Sequence, residues 1–311
     1  MMKFKSLWIA GCLFCMGFIG QTQAQPVAFP KADQEQLKIL EDTLALLSFL
    51  IINDSLEENR FGATRLMIPT LVKALKVKNS FDYPFERLQA VSIQYPPDST
   101  FRVFTWQLYV AEDDYRYYGA IQMNTPELKL YPLIDRSFQV EEPEQAVLNP
   151  ENWYGALYYG IQKLEHPQGP YYLMMGYDAF SFFKRRKLME VLHFKEGKPV
   201  FGAAVIPDSS ASAPMKKRLV LEYSAETTIR LNYDEALGVI VFDHLIPIAG
   251  RHGEGETLVP DGSYEAFRIG KGKLEYIPML EFQPQLEAPR PSPVLDQKGK
   301  DIIGRTKKNG N

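Results

Sequence analysis

The sequence predicts an α+β protein in which an N-terminal helical hairpin is followed by an antiparallel β-meander of about a dozen strands. Apolar residues recur at helical spacing between residues 31 and 78, and from about Leu88 onward they alternate with a period of two. The strand-like segments are short and closely spaced, which favours antiparallel pairing because parallel crossovers need a dozen or more residues. The sequence leaves open whether the sheet forms a sandwich, a barrel or a propeller-like array.

Two helices are predicted in the first part of the chain. One helix face is marked by apolar residues three and four positions apart, namely Leu37, Leu40, Leu44, Leu47 and Ile51. Asn53 and Asp54 predict a break. Ser55 and Glu58 then fit a capping box at the start of the second helix. Pro69 is expected to kink or split that helix, because proline removes a backbone hydrogen bond.

The β-region begins with a predicted hairpin. Residues 101–110 (FRVFTWQLYV) and 115–123 (YRYYGAIQM) alternate in polarity on either side of an acidic turn. Later strand-like runs lie at 128–133, 154–161, 171–177, 188–194, 200–206, 218–223, 227–233, 238–245, 264–269 and 274–277. Glu196 and Gly197 are predicted to form another hairpin turn.

Residues 1–24 are predicted to be an export signal peptide. Lys3 and Lys5 precede an apolar run at residues 7–20, and small residues follow at 22–24 as a cleavage site. The run is too short for a transmembrane helix, which needs roughly 20 residues. The mature chain is therefore expected to lack a transmembrane segment and to be periplasmic or extracellular.

Both cysteines, Cys12 and Cys15, lie within the predicted signal, so the mature chain is expected to be free of cysteine. An alternative is a lipid anchor on Cys12, because residues 9–12 (IAGC) resemble a lipoprotein processing box. Removal of the signal would leave a helical hairpin at 25–80 and a β domain packed with it at 81–283. Residues 284–311 are rich in proline, glycine and charge, and are predicted to be a disordered tail.

The composition excludes several classes of protein. The chain has 311 residues, of which 45% are hydrophobic and 23% charged, with a formal net charge of −3. These values exclude a collagen-like chain, a disulfide-rich miniprotein and a polytopic membrane protein. The slightly negative charge also argues against a nucleic-acid partner, because binding phosphates needs a clustered positive excess.

Four segments carry a family resemblance: FRVFTWQLYV at 101–110, YRYYGAIQM at 115–123, WYGALYYGI at 153–161 and LNYDEALGVIVFDHL at 231–245. They resemble segments of a group of uncharacterised proteins exported by Bacteroidota. The resemblance covers most of the predicted mature chain. It implies export, and it implies no activity, ligand or site residue.

No established catalytic motif is present, so the candidate catalytic residues come from one stretch, residues 238–262. An apolar strand there ends at Asp243 and His244, and the following glycine-rich loop contains His252 and Glu254. Imidazole and carboxylate groups together suit acid–base catalysis or metal binding. Asp243 and His244 are adjacent in a strand and should point to opposite faces. The spacing matches no defined metal motif, so no metal site and no cofactor are predicted, and a solvated loop is the main interpretation.

Two further groups are candidate ligand-binding residues. Trp153 and Tyr154 offer rings that could stack on a sugar, although core packing is the main interpretation. The basic run of Lys184, Arg185, Arg186 and Lys187 could hold an anion, although a solvated turn or a sheet edge is the main interpretation.

The sequence therefore favours a non-enzymatic binding or scaffold protein of the bacterial envelope, with an envelope protein or a glycan as its partner. Two alternatives remain. One is a metal- or carboxylate-dependent hydrolase that uses the 243–261 region. The other is a carrier with an aromatic-lined cavity for a lipid or a glycan. The oligomeric state is not encoded in any pattern of this sequence.

Overall fold

The computed structural model describes residues 30–111, 113–210, 212–250 and 255–280. The predicted signal peptide and the predicted tail lie outside these residues. Within them the α+β class is confirmed, since helices α1 (Lys31–Asn53) and α2 (Glu57–Leu75) precede thirteen strands in antiparallel ladders. The strands are β1 (Ser92–Gln94), β2 (Phe101–Ala111), β3 (Asp114–Met123), β4 (Leu130–Ile134), β5 (Leu157–Leu164), β6 (Tyr171–Asp178), β7 (Lys184–Lys195), β8 (Lys198–Phe201), β9 (Arg218–Ser224), β10 (Leu231–Asp234), β11 (Val239–Ala249), β12 (Glu256–Ile269) and β13 (Leu274–Ile277).

The strands form three sheets, each built from strands that follow one another in the chain. The first sheet has the order β1-β2-β3-β4, and the third has the order β10-β11-β12-β13. The second has the order β5-β6-β7-β8, and β9 also pairs with β7. None of these described sheets closes into a barrel, so the barrel is excluded among the three arrangements that the sequence left open.

The helical hairpin and the three sheets pack as successive layers, because the strands between them bury both faces. On β2, Phe104 packs with the helices, whereas its neighbour Val103 packs with the second sheet. On β6, Tyr172 faces the first sheet, whereas Leu173 faces the third. This alternation follows from the two-residue period of a strand. The first and second sheets are therefore both interior layers.

The predicted apolar face of α1 is buried against α2 and β2, as its helical spacing predicted. Within the described residues, neither helix combines the length and the apolar character that crossing a bilayer requires.

The capping box predicted at Ser55 and Glu58 is wrong, because α2 begins at Glu57 without a side-chain cap. Asp54 organises the loop instead, since its Oδ1 accepts the backbone N–H of Leu56 at 2.9 Å. Arg60 then fixes the loop by donating from Nη1 to the carbonyl oxygen of Asp54 at 2.9 Å. The same guanidinium donates from Nε to the carbonyl oxygen of Tyr109 at 2.8 Å, which ties the loop to the end of β2.

Pro69 does not split α2, which is continuous from Glu57 to Leu75. Met67 and Leu71 are buried on either side of the proline, and Pro69 itself is exposed. Packing of the apolar face thus retains the helix despite the hydrogen bond that proline removes.

The hairpin turn predicted at Glu196 and Gly197 is confirmed between β7 and β8. Both residues have positive φ angles, 52° and 73°, as a two-residue type I′ turn requires.

Candidate functional site

A large cavity lies between α2 and the β3–β4 edge of the first sheet, and we call it the α2–β4 cavity. Its volume is about 880 Å³. Apolar side chains from four elements line one part of it: Ile68, Leu71, Val72, Leu75, Trp106, Tyr118, Leu130 and Pro132. Mostly polar side chains line the other part: Arg116, Tyr117, Asp135, Arg136, Asp178, Phe180 and Arg186. A cavity of this size and lining is typical of sites for small organic molecules.

The polar part of the cavity exists because β3 is longer than β4. β4 pairs with β3 only between Tyr118 and Gln122, so residues 114–117 have no strand on that side. The chain leaves the sheet at Asp135. There Oδ2 of Asp135 accepts the backbone N–H of Tyr117 at 3.0 Å, in place of the carbonyl that a longer strand would supply.

Asp135 is held by protein groups, so its role is structural. Its Oδ1 accepts the backbone N–H and the hydroxyl of Ser137 at 2.9 and 2.8 Å. Gly155 packs directly against the carboxylate, because a Cβ at that position would lie 2.4 Å from Oδ1. Burial raises the pKa of Asp135, and the three hydrogen bonds oppose that rise. The carboxylate thus stabilises the end of β4.

Asp178, the last residue of β6, has one carboxylate oxygen that no described protein group uses. The residue is 5% exposed. Its Oδ1 accepts the Tyr117 hydroxyl at 3.0 Å and the Phe180 backbone N–H at 2.9 Å. No described group bonds to Oδ2, yet this atom is not sealed in the core, because Asp178 lines the cavity. Burial raises the pKa of Asp178 to about 6.

Arg186 is the cross-strand neighbour of Asp178 on β7, but its donors are used elsewhere. Nε and Nη2 donate to Glu222 Oε2 at 2.9 and 2.6 Å, and Nη1 donates to the Tyr154 hydroxyl at 2.9 Å. The guanidinium carbon also lies 3.3 Å from the centre of the Phe180 ring. Arg186 therefore lowers the pKa of Asp178 only through space and leaves its free oxygen unpaired.

Asp243 and His244 contact different residues, as strand alternation predicted. Asp243 is buried and its Oδ2 accepts the backbone N–H of Arg230. His244 lies at the surface, with Nδ1 2.9 Å from Oδ2 of Asp261. Ser263 donates its hydroxyl and N–H to Asp261, and these bonds together with His244 lower the pKa of Asp261 to about 2. A catalytic triad needs a serine that donates to the histidine, and Ser263 does not.

His252 and Glu254 lie outside the described residues. The neighbouring strands are described as far as Ala249 and from Glu256 onward. In the part of the chain that the structure describes, no group of three or more His, Cys, Asp or Glu side chains is arranged to hold a metal ion.

Trp153 and Tyr154 lie in the core rather than on the surface, which confirms the core-packing interpretation. Trp153 is fully buried and donates from Nε1 to the Tyr158 hydroxyl at 2.7 Å. Tyr154 is also buried, and its hydroxyl accepts from Arg186. Neither ring has a face open to a sugar.

The basic run Lys184–Arg185–Arg186–Lys187 is not a solvated turn or a sheet edge, so that interpretation is wrong. It forms the start of β7, which pairs with β9 and from Arg186 also with β6. Glu222 on β9 binds both Lys184, at 2.9 Å, and Arg186. Lys187 Nζ lies 5.3 Å from the Tyr159 ring centre. The basic side chains are half-buried because a carboxylate and aromatic rings surround them.

Sequence reasoning missed Asp178, Tyr117 and Asp135. Asp178 and Tyr117 are 61 positions apart and belong to different sheets, so no local pattern joins them. The only available signal was that an aspartate ends the otherwise apolar run of β6 (YYLMMGYD).

Comparison of this chain with family models, with curated proteins and with solved structures finds no match.

Proposed function

We propose that this protein binds an amphipathic small molecule in the α2–β4 cavity. The observation that carries the proposal is the lining of the cavity, which is apolar along α2 and β4 and polar around Tyr117 and Asp178. An apolar chain or ring system would contact Ile68, Leu71 and Val72, and burial of its surface would supply most of the binding free energy. The polar head would lie near Asp178.

This lining favours a lipid-like ligand over a glycan, because a glycan needs many hydrogen-bonding groups along its whole length. The hydrolase alternative has weaker support. His244 and Asp261 are in contact, but their side chains are 41% and 29% exposed, and Ser263 does not donate to His244. Export to the envelope stays a prediction from the sequence, and it is compatible with a binding protein for lipid-like molecules.

The test is a fluorescence titration with N-phenyl-1-naphthylamine, an uncharged apolar fluorophore. We expect saturable binding that dodecyl amphiphiles displace, because both molecules would occupy the same cavity. Val72→Asp should abolish binding, since it places a carboxylate on the apolar lining. Lys73→Asp is the matched control, because it introduces the same residue one position along α2 on an exposed site outside the lining.

Saturable binding that Val72→Asp removes and Lys73→Asp retains would support the proposal, provided that both variants melt as folded proteins. The absence of saturable binding to the parent protein would overturn it. Binding that survives Val72→Asp unchanged would also overturn it, because the probe would then occupy another surface.

A further inference from the structure

We propose that the ligand of the α2–β4 cavity carries a protonated amine, and that the free Oδ2 of Asp178 accepts a hydrogen bond from it. This inference rests on the proposed function and adds the chemical class of the head group. It follows from three features of the cavity: an unused buried acceptor, a local excess of carboxylate, and aromatic rings around the acceptor.

The first feature is the acceptor itself. Asp178 is 95% shielded from solvent, and its Oδ1 already accepts two hydrogen bonds, from Tyr117 and Phe180. Asp178 lines the cavity, and its Oδ2 has no described partner. A buried carboxylate oxygen without a donor is costly, and a donor from a ligand would remove that cost.

The second feature is the charge of the lining. Among the described lining residues there are four carboxylates and three guanidinium groups: Asp113, Asp114, Asp135, Asp178, Arg116, Arg136 and Arg186. The guanidinium nearest to Asp178 along the β6–β7 ladder, that of Arg186, directs three of its nitrogens to Glu222 and Tyr154. A cation from the ligand would therefore reduce the negative charge of the lining, whereas a carboxylate or phosphate head would add to it.

The third feature is aromatic. The rings of Tyr117 and Phe180 belong to the residues that donate to Oδ1, and both residues line the cavity. Arg186 already covers one face of the Phe180 ring, whereas no described cation lies over the Tyr117 ring, and an aromatic face beside a carboxylate favours an ammonium group through cation–π attraction. An ammonium group would also donate a charge-assisted hydrogen bond to Oδ2. An alcohol could donate only a neutral hydrogen bond, which is weaker.

The experiment compares three amphiphiles of the same chain length: dodecylammonium, dodecanol and dodecanoate. Binding is measured by displacement of the fluorophore at about pH 8, where Asp178 is ionised and an alkylamine is protonated. We expect dodecylammonium to bind roughly tenfold or more tightly than dodecanol, with dodecanoate the weakest.

Asp178→Asn should remove the preference for dodecylammonium and leave the affinity for dodecanol nearly unchanged. The asparagine keeps an acceptor for Tyr117 and Phe180 but presents a neutral amide to the cavity. Asp33→Asn is the control, because it removes the same charge from a partly exposed position on α1 outside the lining. If Asp178→Asn does not fold, the parent protein itself gives the test, since lowering the pH to about 5 protonates Asp178 and should remove the same preference.

Three outcomes are distinguishable. A preference for dodecylammonium that is lost in Asp178→Asn, or at the lower pH, and kept in Asp33→Asn supports the inference. Equal binding of the three amphiphiles, or a preference that Asp178→Asn or protonation leaves intact, overturns it while the proposed function stands. Failure of every amphiphile to displace the fluorophore overturns both.

Discussion

The hydroxyl of Tyr117 donates a hydrogen bond to Oδ1 of Asp178 at 3.0 Å and so joins β3 of the first sheet to β6 of the second. The same hydroxyl accepts the backbone N–H of Ala179 at 2.6 Å. Both residues are buried, so these bonds form away from water, where an unmade bond is expensive. The bridge stabilises the polar end of the cavity and fixes which carboxylate oxygen is left for a ligand.

Replacing Tyr117 by phenylalanine should lower the free energy of unfolding by about 1–3 kcal/mol, because the Ala179 N–H and Asp178 lose a buried partner. The change should also raise the pKa of Asp178, since the Tyr117 hydrogen bond lowers it. Urea unfolding and an NMR titration of the carboxyl measure the two effects. Tyr115→Phe is the control, because no described group bonds to that hydroxyl and its loss should change stability little. Equal stabilities of the two variants would contradict the bridge.

The Asp178 carboxyl should make the protein less stable as the pH rises from about 4 to about 6. Aspartate has an ordinary pKa of 3.8, and burial raises that of Asp178 to about 6 in the folded protein. In this window the folded chain binds more protons than the unfolded chain, so the free energy of unfolding falls with rising pH. The difference between the two pKa values corresponds to a loss of about 3 kcal/mol in the free energy of unfolding.

Asp178→Asn does not titrate, so its stability relative to the parent should rise by about 3 kcal/mol between pH values of about 4 and about 7. Denaturant unfolding of both proteins across this range measures the effect. A difference that stays flat with pH would mean that the Asp178 carboxyl titrates alike in the folded and unfolded chains.

Gly155→Ala should destabilise the protein more than Gly238→Ala does. Both glycines have positive φ angles, 80° and 65°, so each alanine carries the strain of that conformation, about 1–2 kcal/mol. Only at position 155 does the added Cβ also meet a carboxylate, that of Asp135, at 2.4 Å. Nothing lies within 4 Å of a Cβ at position 238. Thermal melting of the two variants compares the costs, and equal costs would show that Asp135 moves aside freely.

Arg218 and Glu190 form an ion pair that is fully shielded from solvent in the second sheet. Arg218→Met should cost about 3–5 kcal/mol, because it leaves a buried carboxylate without its cation. Adding Glu190→Gln should recover part of that loss, since the glutamine is neutral and still accepts the Tyr158 hydroxyl that Glu190 accepts. Urea unfolding of the single and double variants measures the coupling. A double variant no more stable than Arg218→Met would contradict this account of the pair.

The sequence predicted a helix or strand correctly where one periodic pattern of apolar residues runs along the whole element. The apolar spacing from Leu37 to Ile51 defined the buried face of α1, and the alternation of residues 101–110 defined β2. The positive φ angles at Glu196 and Gly197 follow from turn chemistry that is local in sequence. These features depend on residues that are close in the chain, so they can be predicted from a single sequence.

The site was beyond such reasoning because it depends on contacts between distant segments. The polar part of the cavity exists because β4 does not reach residues 114–117 of β3, and Tyr117 from the first sheet bonds to Asp178 of the second. Lys184 and Arg186, at the start of β7, are half-buried because Glu222, from β9, pairs with both. The capping box failed for a similar reason, since Arg60 fixes the loop by reaching β2.

The most direct test of the central claim, that the α2–β4 cavity holds the ligand, is photocrosslinking with a dodecylamine that carries a diazirine on its alkyl chain. After irradiation and digestion, mass spectrometry locates the adducts. A ligand in the cavity should give adducts within residues 66–75 of α2 and 130–138 around β4, and an excess of dodecylamine should remove them. Adducts confined to the exposed apolar side chains of α1, such as Leu46, Phe49 and Ile52, would contradict the central claim.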